Sequence, residues 1–243
     1  MGNSHVASLK NSWDSESSLE FIKNHTVDFF AHRKDLMKGL IAQNNVLKPD
    51  NSNLLKAIQH TSSGLDCIDP SRYDLFFIYG CGLKIDVFAT SNYSNAVLKN
   101  TVSDLVHDST SLHLCEQLRS ISEKPIIVGH NPLRAKYEKE LKECIDIEMY
   151  QSICDLLQQH IFDSIDITLI KQPIKTIHSG IATSMKYVSN STRLDIGDDI
   201  SNDPHPERNR GHMNAEFGTL MWKQLFECVS ANCLLEYIDD KAA

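Results

Sequence analysis

The chain has 243 residues, of which 41% are hydrophobic, and it carries a formal net charge of −8. This length and composition suffice for one α/β domain with a full core, so we expect a single domain over residues 1–243. Acidic residues outnumber basic ones, and the sequence shows no basic stripe that would bind phosphates, which argues against nucleic acid or a membrane as partner. A small neutral or cationic substrate remains open.

Short apolar runs alternate along the chain with stretches of helical periodicity. The apolar runs predict parallel strands that are covered on both faces, at residues 25–31, 72–80, 124–132 and 164–173. The periodic stretches predict helices directly after Ser4 and at residues 35–47, 94–108, 111–121, 134–162 and 214–232. Together they predict a doubly wound α/β fold, whose ligands bind beyond the carboxyl ends of the strands.

The stretch at residues 176–211 has a different composition. It is rich in Ser, Asn, Asp, Pro and Arg and shows little periodicity. Such a segment predicts a long loop that carries functional residues.

The seven cysteines are odd in number, lack CxxC spacing and lie mostly within apolar patterns. They are typical of buried thiols in a reducing compartment rather than of disulfides or a zinc site. The sequence has no apolar run of about 20 residues and no basic segment followed by an apolar one at its start. We therefore expect a cytoplasmic protein without a membrane span or signal peptide.

The opening segment GNSHVASLK places Ser4 in a turn that leads directly into a helical pattern. A serine in the first turn of a helix lies near free backbone N–H groups, which can stabilise an oxyanion once a base activates the hydroxyl. Taken alone, a serine at this position is more often a helix N-cap.

Two later segments carry further candidates. His212 stands immediately before the last predicted helix, where it can point into a cleft or serve as a capping or surface residue. Gly80 and Gly82 follow the strand DLFFIY, and glycines there allow a backbone to approach a ligand closely. A tight turn is the alternative explanation for this pair.

Taken in order, these segments resemble the SGNH/GDSL hydrolase family, in particular its GNSH-type branch in bacteria. GNSHVASLK is similar to the family's first block, which places Ser4 as the nucleophile. RYDLFFIYGCGL is similar in position to the Gly-x-Asn block, and NRGHMNAEFG is similar to the last block, which places His212 as the catalytic histidine.

The resemblance implies a three-layer α/β/α sandwich with a mostly parallel central sheet. It also implies a serine esterase that hydrolyses a small acyl ester, such as an O-acetyl group on a carbohydrate, through an acyl-enzyme. The long loop at residues 176–211 would then border the active site.

The chain departs from the family pattern before Ser4 and again three residues before His212. Only three residues precede Ser4, whereas the family's nucleophile follows a core strand, so we expect either a truncated first strand or, preferably, missing residues upstream. The family's Asp is replaced by Asn209, which has no charge to stabilise an imidazolium. We expect either that Asn209 orients His212 or that Ser4 and His212 act as a dyad. Asp203 is the next candidate for the orienting residue, followed by Glu207.

The oxyanion hole is the third departure, because Gly82 stands where the family has an Asn with a side-chain donor. Backbone N–H groups of Ser4 and of the turn at Gly80 and Gly82 are alternatives, as is the side chain of Asn131. Asn131 could equally cap the turn at its following proline. His5 either contributes to the site or packs against the turn.

The sequence contains no glycine-rich phosphate loop, no dinucleotide fingerprint and no metal-ligand spacing, so we expect neither a cofactor nor a metal. Three alternatives to an esterase remain. The chain could be a catalytically impaired binding protein of the same fold, as Asn209 and Gly82 suggest, or an acyltransferase acting on sugar hydroxyls. The motif matches could also be accidental.

Overall fold

The computed structural model describes residues 1–15, 20–85, 93–141 and 146–231, so Cys144 and Cys233 lie outside the described residues. In chain order the helices are α1 (Val6–Ser15), α2 (Glu20–Asn24), α3 (Ser52–Thr61), α4 (Asn95–Val106), α5 (Thr110–Arg119), α6 (Ile147–Leu157) and α7 (Ala215–Ala231). The strands are β1 (Leu40–Gln43), β2 (Val46–Pro49), β3 (Phe76–Tyr79), β4 (Ile126–Gly129), β5 (Ala135–Lys136), β6 (Thr168–Ile170), β7 (Ile177–His178) and β8 (Ala182–Ser184).

A parallel sheet of β3, β4 and β6, with β4 in the middle, lies at the centre of the fold. Its side chains alternate between two hydrophobic clusters, with Ile78 and Val128 in one and Tyr79 and Ile127 in the other. Both faces are therefore buried, which explains why these strands are almost entirely apolar. The predicted α/β class is confirmed, and the strands predicted at residues 72–80, 124–132 and 164–173 are present.

The first residues of the chain lie beside β3 in the same sheet. Gly2 forms parallel bridges to Tyr79 on one side and to Ala31 on the other, and the Tyr79 N–H donates to the Met1 carbonyl at 2.9 Å. A Cβ at Gly2 would overlap the Tyr79 carbonyl oxygen, so only glycine fits this central position. The strand predicted at residues 25–31 is reduced to the single bridge at Ala31.

Helices cover the two faces of the sheet separately. Residues of α4, α5 and α6 pack in the cluster that contains Ile78, whereas residues of α1 and α7 pack in the cluster that contains Tyr79. Helix α1 crosses α7 closely, because Gly218 lies against the backbone of Ser8 and a Cβ there would overlap the Ser8 carbonyl. The Trp222 indole N–H also donates to the Leu9 carbonyl at 2.9 Å.

The helix predicted at residues 35–47 is wrong. Only a short 3₁₀ turn, Leu36–Gly39, forms there, and β1 and β2 follow as an antiparallel hairpin. Asn44 and Asn45 make its two-residue turn with φ angles of 53° and 61°, a left-handed conformation that asparagine tolerates well. The Asn-Asn pair was the turn signal that the periodicity obscured.

The helix predicted at residues 134–162 begins later than expected. Residues 135–136 form β5, and α6 starts at Ile147 after an N-cap in which Asp146 accepts the Glu148 N–H at 3.1 Å. Helix α3, capped by Asn51, was not predicted. The helices predicted after Ser4 and at residues 94–108, 111–121 and 214–232 are confirmed as α1, α4, α5 and α7.

The predicted loop at residues 176–211 contains short regular elements. β7 and β8 pair antiparallel, and β8 also pairs parallel with β5. Beyond them the chain folds back on itself, since Thr192 bridges Pro204 and the His205 N–H donates to the Ser191 carbonyl at 2.8 Å. No helix in the described ranges is long and apolar enough to span a membrane.

Candidate active site

Ser4 and His212 meet at the point where two packed helices begin. Ser4 lies two residues before α1, and His212 lies three residues before α7. Their side chains form a hydrogen bond of 2.8 Å between Ser4 Oγ and His212 Nε2. The close packing of α1 against α7 therefore brings together a hydroxyl and an imidazole that are 208 residues apart.

Asn209 holds the other side of the His212 ring. Its Oδ1 lies 3.1 Å from His212 Nδ1 and also accepts the backbone N–H of Gly211 at 3.1 Å. A backbone N–H can only donate, so the oxygen of the amide, rather than its nitrogen, must face this side. His212 then carries its proton on Nδ1 and presents the lone pair of Nε2 to the Ser4 hydroxyl.

His205 completes the orientation of the amide. Asn209 Nδ2 lies 3.1 Å from His205 Nδ1, so the amide donates to His205 while its oxygen accepts from His212. The remaining ring nitrogen of His205, Nε2, is buried without a hydrogen-bond partner among the described residues. The position of His205 in the sequence gives no signal of this role, because it follows no motif and no metal-ligand spacing.

The His212 ring lies between two other imidazoles. The His205 ring stacks on it at a centroid distance of 4.1 Å, and the His5 ring stacks on it at 4.9 Å. Burial lowers the pKa of His5 to about 3 and that of His205 to about 4, so both rings are neutral near pH 7. Burial, followed by the charge of Arg193, also lowers the pKa of His212 below its ordinary value of 6.5.

The N–H groups of both glycines in the turn after β3 already donate hydrogen bonds within the protein. The Gly80 N–H donates to the Gly129 carbonyl at 2.9 Å, and the Gly82 N–H donates to Asn131 Oδ1 at 3.2 Å. Neither is available to an oxyanion. The Ser4 N–H and Asn131 Nδ2 make no hydrogen bond within the described part of the chain, so they remain as candidate donors.

Gly80 matters to the site because it has no side chain, not because of its N–H group. It has a φ of 79°, and a Cβ there would lie 2.6 Å from Asn3 Oδ1 and 3.0 Å from the His5 ring. A glycine therefore lets the turn after β3 approach the segment that carries the serine.

The two carboxylates that were candidates to orient His212 do not contact it. Asp203 and Glu207 are both exposed, and the backbone carbonyl of Asp203 accepts the Arg193 N–H at 2.8 Å. The structure brings Asn209, rather than either carboxylate, to His212. His130 follows β4 and does not belong to the group of stacked histidines, because it is buried and hydrogen-bonded to the Tyr150 hydroxyl at 2.7 Å.

A cleft of about 720 Å³ opens beside the Ser4–His212 pair. It is lined by neighbours of that pair, namely His5, Asn131, Asn209 and Gly211, and by five cationic residues, Lys84, Arg134, Lys136, Arg208 and Arg210. No Asp or Glu lines it. Residues 1–15, 20–85, 93–141 and 146–231 contain no group of three or more His, Cys, Asp or Glu placed to hold a metal ion.

Fold and site together define an α/β protein in which a Ser–His–Asn hydrogen-bond chain borders a basic cleft. Comparison of the chain with protein-family models, with curated proteins and with solved structures found no match. The resemblance to SGNH/GDSL hydrolases therefore stays a prediction from the sequence.

Proposed function

We propose that this protein is a serine esterase of the SGNH/GDSL type, which hydrolyses a small acyl ester through an acyl-enzyme. The observation that supports the proposal is the hydrogen-bond chain from Ser4 Oγ to His212 Nε2 at 2.8 Å and from His212 Nδ1 to Asn209 Oδ1 at 3.1 Å. A nucleophile within reach of a base, with a third group orienting that base, is the arrangement that acyl transfer requires.

In the first half of the reaction, Ser4 Oγ attacks the ester carbonyl carbon and its proton passes to His212 Nε2. The resulting oxyanion has two candidate donors, the Ser4 N–H and Asn131 Nδ2. His212 then gives its proton to the departing alcohol oxygen, which leaves the acyl group on Ser4. In the second half, water loses a proton to Nε2, attacks the acyl carbonyl and releases the acid.

A neutral amide can orient His212 productively in this site. In serine proteases the replacement of the triad Asp by Asn is damaging because it selects the wrong histidine tautomer. Here the Gly211 N–H and the acceptor nitrogen of His205 fix the Asn209 amide with its oxygen towards His212 Nδ1. Asn209 has no charge to stabilise the imidazolium, so we expect a lower kcat than a carboxylate at this position would give.

The finer architecture belongs to the same proposal. Helices on both faces of the parallel sheet support a three-layer α/β/α sandwich. We take residues 1–243 as one domain in which residues 176–211 form an active-site loop, since this loop supplies His205 and Asn209. The proposed acyl group is small, an O-acetyl group on a carbohydrate being the example that the resemblance offers.

Fluorophosphonate labelling read by intact mass tests the nucleophile. We expect the wild-type protein to gain one label and the Ser4→Ala variant to gain none, because the probe phosphonylates an activated serine. Ser230→Ala, which removes an exposed hydroxyl on α7, is the matched control and should label fully. A label on Ser4→Ala, or no label on folded wild-type protein, would contradict the proposal.

A binding protein that has lost catalysis is the second candidate, and the neutral Asn209 is the observation that favours it. Such a protein would remain unlabelled and would release no acid from acetyl esters, although it would still bind the ester. Labelling that depends on Ser4 excludes this candidate.

A further inference from the structure

We infer that the ester substrate carries an anionic group, a carboxylate or a phosphate, which binds in the basic cleft beside Ser4. The inference rests on the proposed function for the reacting site and adds the class of substrate. It reverses the expectation from composition, which left a neutral or cationic substrate open.

Three separate segments deliver the five cations to the cleft. Lys84 follows the turn at residues 80–82, Arg134 and Lys136 come from the region of β5, and Arg208 and Arg210 come from the approach to His212. Such a concentration is notable in a chain with a net charge of −8. A cleft lined by one sign of charge raises the local concentration of the opposite ion.

Most of this charge is uncompensated. Arg210 is paired with Glu140 at 2.5 Å and lies over the Tyr137 ring at 4.9 Å. The other four cations, Lys84, Arg134, Lys136 and Arg208, make no ion pair within the described residues. Because both Arg and Lys bind carboxylates and phosphates, and Arg can do so with two parallel hydrogen bonds, an anion is the ligand that this wall fits.

Ser4 and His212 do not themselves line the cleft, but residues next to them in the chain do. His5, which follows Ser4, and Asn209 and Gly211, which precede His212, line it together with the cations. A substrate whose anionic group binds in the cleft would therefore extend towards Ser4.

Matched esters test the preference directly. The anionic substrates are a mono-O-acetylated methyl glucuronide and an O-acetylated methyl glucoside 6-phosphate; the acetylated uronamide and the acetylated methyl glucoside are their neutral references. We expect kcat/KM to be at least about tenfold higher for the anion, with the advantage shrinking as salt screens the cleft. The carboxylate and phosphate pairs show which anion is preferred.

Charge-matched variants separate the cleft from net charge. Lys136→Gln/Arg208→Gln should reduce the anionic-to-neutral ratio of kcat/KM several-fold. Lys56→Gln/Lys99→Gln removes two charges from exposed positions on α3 and α4, and it should leave the ratio unchanged. An equal fall in both variants would overturn the inference, because long-range attraction would then explain the preference.

Binding to the Ser4→Ala variant provides a readout that does not depend on catalysis. Calorimetry should show that methyl glucuronide or methyl glucoside 6-phosphate binds more tightly than its neutral counterpart, and that Lys136→Gln/Arg208→Gln removes the difference. Hydrolysis of neutral esters without any anion preference in rate or binding would overturn the inference and leave the esterase proposal standing. Anion binding at the cleft without hydrolysis of any ester would overturn the esterase proposal alone.

Discussion

The groups that hydrogen-bond to the His212 ring or stack on it are neutral. The Asn209 amide fixes its tautomer, and the His5 and His205 rings cover its two faces. None of these groups carries a charge near pH 7, so the imidazolium of the proposed mechanism would gain little electrostatic stabilisation from them. Arg193 acts in the opposite sense, since its positive charge disfavours protonation of His212.

This environment predicts the pH dependence of the proposed esterase activity. The base must be neutral, so activity is constant above the pKa of His212 and is lost as pH falls through it. Because the pKa of His212 is lowered, the midpoint of this acid limb should lie below 6.5. Asn209→Asp should raise the midpoint, because a carboxylate beside Nδ1 favours the imidazolium, and should also raise kcat.

The measurement is kcat/KM on an acetyl ester as a function of pH for the wild type and Asn209→Asp. Glu207→Gln is the control, because this exposed carboxylate does not contact His212 and its removal should leave the midpoint in place. A pH midpoint that shifts in Glu207→Gln and not in Asn209→Asp would show that Glu207, rather than Asn209, orients His212.

At the scale of elements, the site depends on how closely α1 approaches α7. Gly218 leaves room for the Ser8 carbonyl, and Ser12 and Thr219 add a hydrogen bond of 2.8 Å between their hydroxyls. Ser4 and His212 each lie just before one of these helices. The spacing of the two helices therefore helps to set the distance between Ser4 and His212.

Gly218→Ala should separate the two helices. The added methyl group overlaps the backbone of α1, and we expect the free energy of unfolding to fall by about 1–3 kcal/mol, although alanine is the better helix former. A displacement of Ser4 by about 1 Å would lower kcat by roughly 100-fold. Denaturant unfolding and steady-state kinetics check the two effects.

Lys223→Ala provides the control on the same helix, because its side chain is exposed and its removal should change stability by less than about 0.5 kcal/mol. Full activity and stability in Gly218→Ala would show that α1 can move away from α7 without disturbing Ser4, contrary to this interpretation.

At the scale of the whole molecule, the central sheet lies between the candidate site and one of the two hydrophobic clusters. The cluster that contains Ile78 and Val128 lies on one face of the sheet, whereas α1 and α7 pack on the other. Stability and site geometry should therefore respond differently to core substitutions on the two faces.

Ile78→Ala tests this separation. The side chain is fully buried, and we expect a loss of about 2–5 kcal/mol in the free energy of unfolding from lost burial and a residual cavity. The activity of the folded fraction should change little. Ile174→Ala, at a position that is 56% exposed, should stay within about 0.5 kcal/mol of the wild type. Similar losses in both variants, by chemical unfolding, would argue against the described core.

The sequence by itself determined the elements whose signals are local. Apolar runs identified β3, β4 and β6, and helical periodicity identified α1, α4, α5 and α7. Ser4 and His212 could be named as a candidate pair because each stands at the start of such a helix. The hairpin at Asn44 and Asn45 was missed because the same apolar residues also fit a helical period.

Only the tertiary structure decided what surrounds that pair. The orientation of the Asn209 amide depends on a contact with His205, and the stacking of His5 on His212 joins the start of the chain to the segment before α7. The basic cleft arises where three distant segments converge within an acidic protein. Net charge sums over the whole chain, whereas a bound anion responds to the few charges within a Debye length, and chain folding alone places those charges.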